Sequence, residues 1–334
     1  EVIDQPDPVG VVISETKRPN NLRIENRTTA FGTILIIYES RPDVTIEAAA
    51  LAFKAGNQIL LKGGKEAHHS NRYLTQLWHQ ALASSNLSTD WITYLKLTRT
   101  ETQSYLQNPT QKIDLIVPRG GERLIQYVKA HASCPVLVSG RGNNFLYVAP
   151  DADWPMTMNV ILNAKTDKTS ACNALDKVVL DIDLPNYKEK LNELIKLLQK
   201  NDVNVQIDTE VSKDTITTIT IADDKSWDQE FLSLEILIGN CKGVHDAIRI
   251  INTHSGGHSN AIMTSSPTLA HEFMNGVDSA AVYHNASTRF TDGGQMGVGA
   301  ELAISTDKLH HRGPLGLKQL VTNKYFIFGE GQTR

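Results

Sequence analysis

Cysteine is scarce in this chain: Cys134, Cys172 and Cys241 are the only three in 334 residues. Three cannot knit a disulfide framework over such a length, so a hydrophobic core must hold the fold, and a reducing cytosol is the expected setting. Long apolar runs are missing too. The longest, such as Ile34–Tyr38, are far too short to span a bilayer, and no charged-then-apolar leader precedes them, so neither a membrane anchor nor a signal peptide is expected. Positive charge is not in excess: 33 Lys and Arg stand against 37 Asp and Glu, a net charge of −4. Such a balance lacks the electrostatic footprint of a nucleic-acid binder. Internal repeats and low-complexity tracts are absent. A metal motif is lacking as well. His254 and His258 have the spacing of a helical pair, but Gly256 and Gly257 between them break any helix, so they read as turn or core histidines. His68-His69 and His310-His311 read as solvated faces. The chain opens at Glu1 without a methionine, and Asp7-Pro8-Val9-Gly10 reads like the interior of a protein, so upstream sequence is expected.

What is present is an ordinary globular balance, 40% hydrophobic and 21% charged, with enough length for two cores. Residues 9–30 alternate in short bursts around Pro19-Asn20-Asn21, the pattern of a projecting hairpin. Strand-like and helical runs then take turns. Phe31–Tyr38 reads as a buried strand, and Val44, Ala48, Leu51, Ala52 and Ala55 as a helix ended by Gly56. A strand at Gln58–Leu61, a helix at 66–83, a strand at Asp114–Val117 and a helix at 122–130 follow. A second series begins near Asn144, with strands expected at 145–148, 178–182, 234–238, 261–263 and 280–285. Helices are expected between them at 154–163, 187–198, 244–251 and 269–274. This alternation predicts an α/β protein with parallel sheets covered on both faces. Gly140–Asn144 is the hinge candidate by composition.

Several residues invite a chemical reading. Cys172 lies in a polar stretch, ILNAKTDKTSACN (161–173). Lys165 and Lys168 are close enough in sequence to lower its thiol pKa if they fold over it. Backbone N–H groups with the Asn163 amide would then serve an oxyanion. Read locally, the commoner fate of a lone cysteine, one more small buried residue, is the stronger reading of Cys172; Cys134 and Cys241, beside apolar strands, read as nothing else. Two Gly-rich turns follow strands: LLKGGKE (60–66) with Lys62, Gly63, Gly64 and Lys65, and IVPRGGE (116–122) with Arg119, Gly120 and Gly121. Backbone N–H groups at a helix start beside cations suit phosphate, although neither turn matches the three-glycine or P-loop fingerprints and each also reads as an ordinary tight turn. In NASTRFTDGGQMGVGAE (285–301), Ser287, Thr288 and Arg289 offer hydroxyls and a fork-shaped cation for a carboxylate, or simply a surface loop.

Taken together, IIYESRPDVT (36–45), LLKGGKE, IDLIVPRGG (113–121), LNAKTDKTSACN (162–173), EFLSLE (230–235), NASTRFTDGGQMGVGAE and HRGPLGL (311–317) resemble the gamma-glutamyl phosphate reductase family. The runs keep family order over nearly the whole chain. The resemblance implies an aldehyde-dehydrogenase-like fold of two Rossmann-like parallel-sheet domains plus an oligomerisation β-hairpin. Residues 1–30, with 324–334, would form the hairpin, 31–140 the NADP-binding domain, 141–300 the catalytic domain and 301–323 a returning helical segment. It places the nucleophile at Cys172 and makes Glu230 similar to the glutamate that holds the nicotinamide ribose in the superfamily. The LLKGGKE turn lines up with the adenosine-ribose loop, where Lys65 replaces the glutamate of many NAD-using relatives. A cation there would neutralise the 2′-phosphate of NADP(H).

The implied activity is NADPH-dependent reduction of L-glutamyl 5-phosphate to glutamate 5-semialdehyde, in a homo-oligomer supplied by glutamate 5-kinase. Ser40, Arg41, Ser287, Thr288 and Arg289 are the substrate candidates. Two departures bear on this. Where oxidising relatives carry a water-activating glutamate, this chain has Leu137-Val138-Ser139-Gly140-Arg141, which suits a thioester that meets hydride. Where they carry an oxyanion asparagine, this chain has Ser40. The alternatives are an oxidative aldehyde dehydrogenase and an inactive oligomerising scaffold.

Overall fold

A computed structural model describes every residue except 216–218. The chain divides into two compact units, residues 1–139 with 297–303 and 309–334, and residues 140–296 with 304–308. In the first unit, β1 (Val12–Lys17) and β2 (Arg23–Ala30) form the expected hairpin. The strand β3 (Thr33–Tyr38) is buried at every residue, as a continuous apolar run in the middle of a parallel sheet must be. α1 (Asp43–Lys54) buries Val44, Ala48, Leu51 and Ala52 against it. The helix ends where Gly56 takes φ +73°, a conformation that frees the Gly56 and Asn57 N–H groups to bond back to Phe53 and Ala52. β4 (Gln58–Lys62), α2 (His68–Ser84), β5 (Ile92–Tyr94), α3 (Arg99–Gln107), β6 (Leu115–Arg119) and α4 (Glu122–His131) complete a four-stranded parallel sheet of order β5-β4-β3-β6. β5 and α3 were not expected. β5 is three residues long, and α3 shows only Thr102 and Leu106 to the core, too little for a periodic signal.

The second unit is a seven-stranded parallel sheet. Its elements are β7 (Asn144–Val148), α5 (Trp154–Thr166), β8 (Leu175–Asp181), α6 (Tyr187–Lys200), β9 (Asn204–Ile207), β10 (Thr220–Ile221), β11 (Glu235–Cys241), α7 (Gly243–His254), β12 (Ser259–Met263), α8 (Pro267–Gly276) and β13 (Ala281–His284). Strand order is β10-β9-β11-β8-β7-β12-β13. The helices cover both faces, α6 through Leu191, Leu194, Ile195 and Leu198 at helical spacing. β8 starts three residues earlier than its apolar run, because Asp176 and Lys177 lie buried within the strand.

The segment 301–323, expected to be helical, instead holds β14 (Glu301–Ser305), β15 (Gly313–Gly316) and one 3-10 turn at Leu317–Gln319. Leu302, Ala303, Leu315, Leu317 and Leu320 enter the first unit's core, which explains an apolar content that suggested a helix. β16 (Val321–Phe328) then pairs antiparallel with β2 of the same chain, giving a three-stranded sheet of order β1-β2-β16. One face of it is ionic. Glu25 is buried between Arg23 and Arg27, whose guanidinium groups lie under the rings of Phe328 and Phe326. On the other face Ile24, Tyr325 and Ile327 alternate with these, and Tyr325 and Ile327 are more than half exposed. Among the described residues no helix is long and apolar enough to cross a membrane, and no cluster of His, Cys, Asp and Glu suits a metal ion.

Candidate active site

Cys172 sits in the second unit, between α5 and β8, half-buried and in no disulfide. Its backbone is fixed from three directions. The Asn144 amide, fully buried at the start of β7, donates to the carbonyls of Cys172 and Ala174 at 2.8 and 2.7 Å. Asn173 donates to the carbonyls of Arg289 and Thr291, and the Thr288 hydroxyl donates back to the Asn173 carbonyl at 2.7 Å. Gly142 closes the third side. A Cβ there would fall 2.5 Å from the Cys172 carbonyl carbon and 2.6 Å from its Cα, so only glycine allows this approach. The Gly142 N–H donates to Glu230 Oε1 at 2.9 Å. One glycine thus touches the candidate nucleophile through its Cα and the candidate cofactor ligand through its N–H.

Sequence reasoning missed Asn144, Asn173 and Gly142. Their partners lie far along the chain, and a buried asparagine has no local signature. Lys165, a candidate for lowering the Cys172 pKa, has its ammonium committed to a carboxylate. It is fully buried and paired with Asp176 at 3.0 Å, and burial pushes its ammonium pKa down. Thr288, expected to meet substrate, is fully buried with its hydroxyl committed to Asn173, so it serves as a clamp. The Ser287 hydroxyl accepts from the Arg289 N–H. Arg289 itself is 15% exposed and donates through Nε to Asp167 at 3.3 Å; its buried Nη1 has no hydrogen-bond partner among the described residues. Asn163 lies exposed near the end of α5. Of the other two cysteines, Cys241 is buried and Cys134 half-buried, and desolvation raises both thiol pKa values.

Histidine behaves partly as expected. His258 is wholly buried and its pKa is pushed down to about 4; Nδ1 shares a hydrogen with Ser259 Oγ. His254 ends α7 and reaches the Asp228 carboxylate at 3.0 Å. His310 is exposed, as expected, and lies edge-on to Phe31 with a bond to the Gln319 carbonyl.

In the first unit the two Gly-rich turns differ. Gly63 passes directly over the fully buried Asn71, whose Nδ2 has no partner among the described residues, and over the Tyr38 ring. Lys62 and Lys65 flank Gly63-Gly64, Lys65 exposed and Lys62 half-buried with its pKa lowered by desolvation. Ser40 donates to Glu66, and Arg41 pairs with Asp43. At the second turn, the Gly121 N–H donates to the Glu39 carboxylate at 3.2 Å, while the Arg119 carbonyl accepts from the Glu39 N–H. The start of α4 therefore already faces a negative charge of the protein's own, which disfavours phosphate at Arg119-Gly120-Gly121.

No family model matches the chain. An acetylating aldehyde dehydrogenase from Geobacillus thermoglucosidasius has the same fold, with a TM-score of 0.69 at 16% identity over 97% of this chain and 80% of that one. The architecture is therefore that of the aldehyde-dehydrogenase-like enzymes. The crystal structure of gamma-glutamyl phosphate reductase from Thermotoga maritima agrees far more closely, with a TM-score of 0.96 at 39% identity over 100% of this chain and 80% of that one. The gamma-glutamyl phosphate reductase of Clostridium beijerinckii is 42% identical over 334 residues, 100% of this chain and 80% of that protein. The chain belongs to the gamma-glutamyl phosphate reductase family, as the motifs implied, and is an oxidoreductase.

Proposed function

We propose that the protein reduces L-glutamyl 5-phosphate to L-glutamate 5-semialdehyde and phosphate with NADPH, in proline biosynthesis, through a thioester on Cys172. Family membership supports the substrate and the nicotinamide cofactor. The observation that carries the mechanism is the three-sided fixation of the Cys172 backbone, since a nucleophile held in one geometry avoids the entropy cost of finding it. The Cys172 thiolate attacks the γ-carbonyl, a C–S bond forms, and the C–O bond to phosphate breaks. When bound, the cofactor supplies hydride to the thioester carbon. Collapse of the hemithioacetal breaks the C–S bond, returns the thiolate and releases the aldehyde. Backbone N–H groups near Cys172, with Asn163, are the donors proposed for the oxyanion.

Arg289 is the strongest candidate for a substrate anion, because a buried guanidinium N–H without a partner is costly unless a ligand satisfies it. Ser287 of the same unit, and Ser40 and Arg41 of the first unit, are also proposed to bind substrate. Glu230 is proposed for the nicotinamide ribose, and Lys62, Gly63, Gly64 and Lys65 for the adenosine end, where the exposed Lys65 ammonium favours a 2′-phosphate. The Glu39 carboxylate leaves Arg119, Gly120 and Gly121 a weaker cofactor site. The face that carries the exposed Tyr325 and Ile327, with the half-buried Ile24, is proposed to meet another copy in a homo-oligomer. The substrate is an acyl phosphate, so a kinase must supply it, and glutamate 5-kinase is the proposed partner, in the cytoplasm. The test is NADP⁺ reduction by the purified protein given glutamate 5-semialdehyde and phosphate. Activity is expected in the native protein and not in Cys172→Ser, which should still bind NADPH. Full activity in the serine variant would remove Cys172 from the mechanism.

A further inference from the structure

Glu230 is delivered by a stretch, Gln229–Phe231, that belongs to no strand or helix. Its backbone, and that of the 3-10 turn at Asp224–Asp228 before it, is held one group at a time by side chains of the same unit. Asn143 donates to the Trp227 carbonyl at 2.7 Å and Arg141 Nη1 to the Asp228 carbonyl at 2.9 Å. Lys177 Nζ donates to the Gln229 carbonyl at 2.8 Å, and the Phe231 N–H donates to Asp176 Oδ2 at 3.1 Å. Glu230 is therefore clamped on both sides by two consecutive residues of β8.

Consecutive residues of a regular strand point to opposite faces. Asp176 and Lys177 escape this rule at a bulge: Leu175 pairs with Asn144 and Lys177 with Phe145, which leaves Asp176 as the extra residue. Bulges re-aim side chains in this way, often beside active sites. The bulge begins three residues after Cys172. Lys177 is wholly buried, with its ammonium 3.8 Å from the centre of the Phe231 ring. Its neighbour Asp176 already pairs with Lys165. An unpaired buried ammonium is costly, and an apolar side chain would fill the same space at lower cost. What the lysine supplies that an apolar residue would not is a donor to Gln229.

We propose that Lys177 is a positioning residue for Glu230, tying down the Gln229 carbonyl so that the Glu230 carboxylate is braced on the Gly142 N–H and presented to the cofactor. The proposal rests on the reading that Glu230 holds the nicotinamide ribose. It also assigns the buried lysine of β8 a part in cofactor affinity, distinct from the chemistry at Cys172.

The test compares Lys177→Met, Glu230→Gln and the double variant, each checked for a native circular dichroism spectrum. If Lys177 acts through Glu230, Lys177→Met and Glu230→Gln each raise the KM for NADPH about tenfold or more, the scale of losing one hydrogen bond to a charged group. The double variant is then no worse than Glu230→Gln alone. Alkylation of Cys172 by iodoacetamide stays within about twofold of native, because the nucleophile loop has its own clamps. An unchanged KM in Lys177→Met beside a raised KM in Glu230→Gln overturns the role of Lys177. An unchanged KM in Glu230→Gln overturns the reading of Glu230 instead. Multiplying effects in the double variant would show that Lys177 acts elsewhere, which also overturns the proposal. Should Lys177→Met fail to fold, Lys177→Gln, a shorter donor, carries the test: a partial rise in KM supports the proposal and an unchanged KM sinks it.

Discussion

Gly142→Ala isolates the contact that shapes the candidate active site. The added Cβ would lie 2.5 Å from the Cys172 carbonyl carbon and 2.6 Å from its Cα. Non-bonded carbons prefer about 3.5–4.0 Å, so the two backbones must part by roughly 1 Å. Neither side gives easily. Cys172 is held by Asn144, and its neighbour Asn173 by Thr288, Arg289 and Thr291, while Gly142 is tied to Glu230. A misplacement of about 1 Å at a reacting group costs on the order of 100-fold in rate, or about 2.7 kcal/mol of activation free energy. Overpacking of this kind also costs about 1–3 kcal/mol of stability, small enough for the variant to remain folded. The assay is steady-state reduction of NADP⁺ with glutamate 5-semialdehyde and phosphate, run beside a urea melt. The expected result is a folded protein whose kcat has fallen about 100-fold. A folded Gly142→Ala protein with native kcat would refute the claim that this glycine sets the position of Cys172.

Other expectations follow from the same physical reasoning. Lys65→Glu places a carboxylate beside Gly63-Gly64 and should raise the KM for NADPH strongly while changing that for NADH little. Equal losses for both cofactors would make Lys65 structural. Lys165→Met leaves Asp176 buried without its partner and should cost about 3–5 kcal/mol in a urea melt; a loss under about 1 kcal/mol would show that the Phe231 N–H and water satisfy Asp176 alone. Burial lowers the Lys177 pKa from 10.5 to about 7, against Asp176, Glu235 and Asp228, which raise it, and Lys165, which lowers it further. Between those values the unfolded chain binds a proton that the folded one does not, so the Lys177 contribution to stability should rise with pH from about 7 to about 10.5. Urea midpoints of native protein and Lys177→Met with the same pH slope would contradict this.

Much of the architecture was legible because burial on both faces leaves a plain trace. The run TILIIY of β3 and the helical spacing of Leu191, Leu194, Ile195 and Leu198 could be read without a structure. β8 was read short because Asp176 and Lys177 look solvated in sequence, whereas a bulge and a clamped segment bury them. The segment 301–323 was misread because its apolar residues fill a core as two short strands and a turn. At the site, Cys172 stood out by its polar neighbours and family motif. The groups that hold it did not, since Asn144 meets it across 28 positions and Asn173 meets Thr291 across 118. Contacts that distant are made by topology, and no local pattern announces them.

The pairing of β2 with β16 also sets an order of events during synthesis. Nearly all of the second unit is one continuous stretch, residues 140–296, whereas the first unit draws on both ends of the described chain. On a ribosome the parallel sheet around Cys172 can therefore form while β1 and β2 are still a two-stranded ribbon, marginal by itself in water. Glu25 then waits between Arg23 and Arg27 without its Phe326 and Phe328 roof until residues 321–328 emerge. β16, made after all of residues 140–296, seals a hairpin made before them, so a ribosome stalled between the two releases a chain with a built nucleophile loop and an open sheet edge.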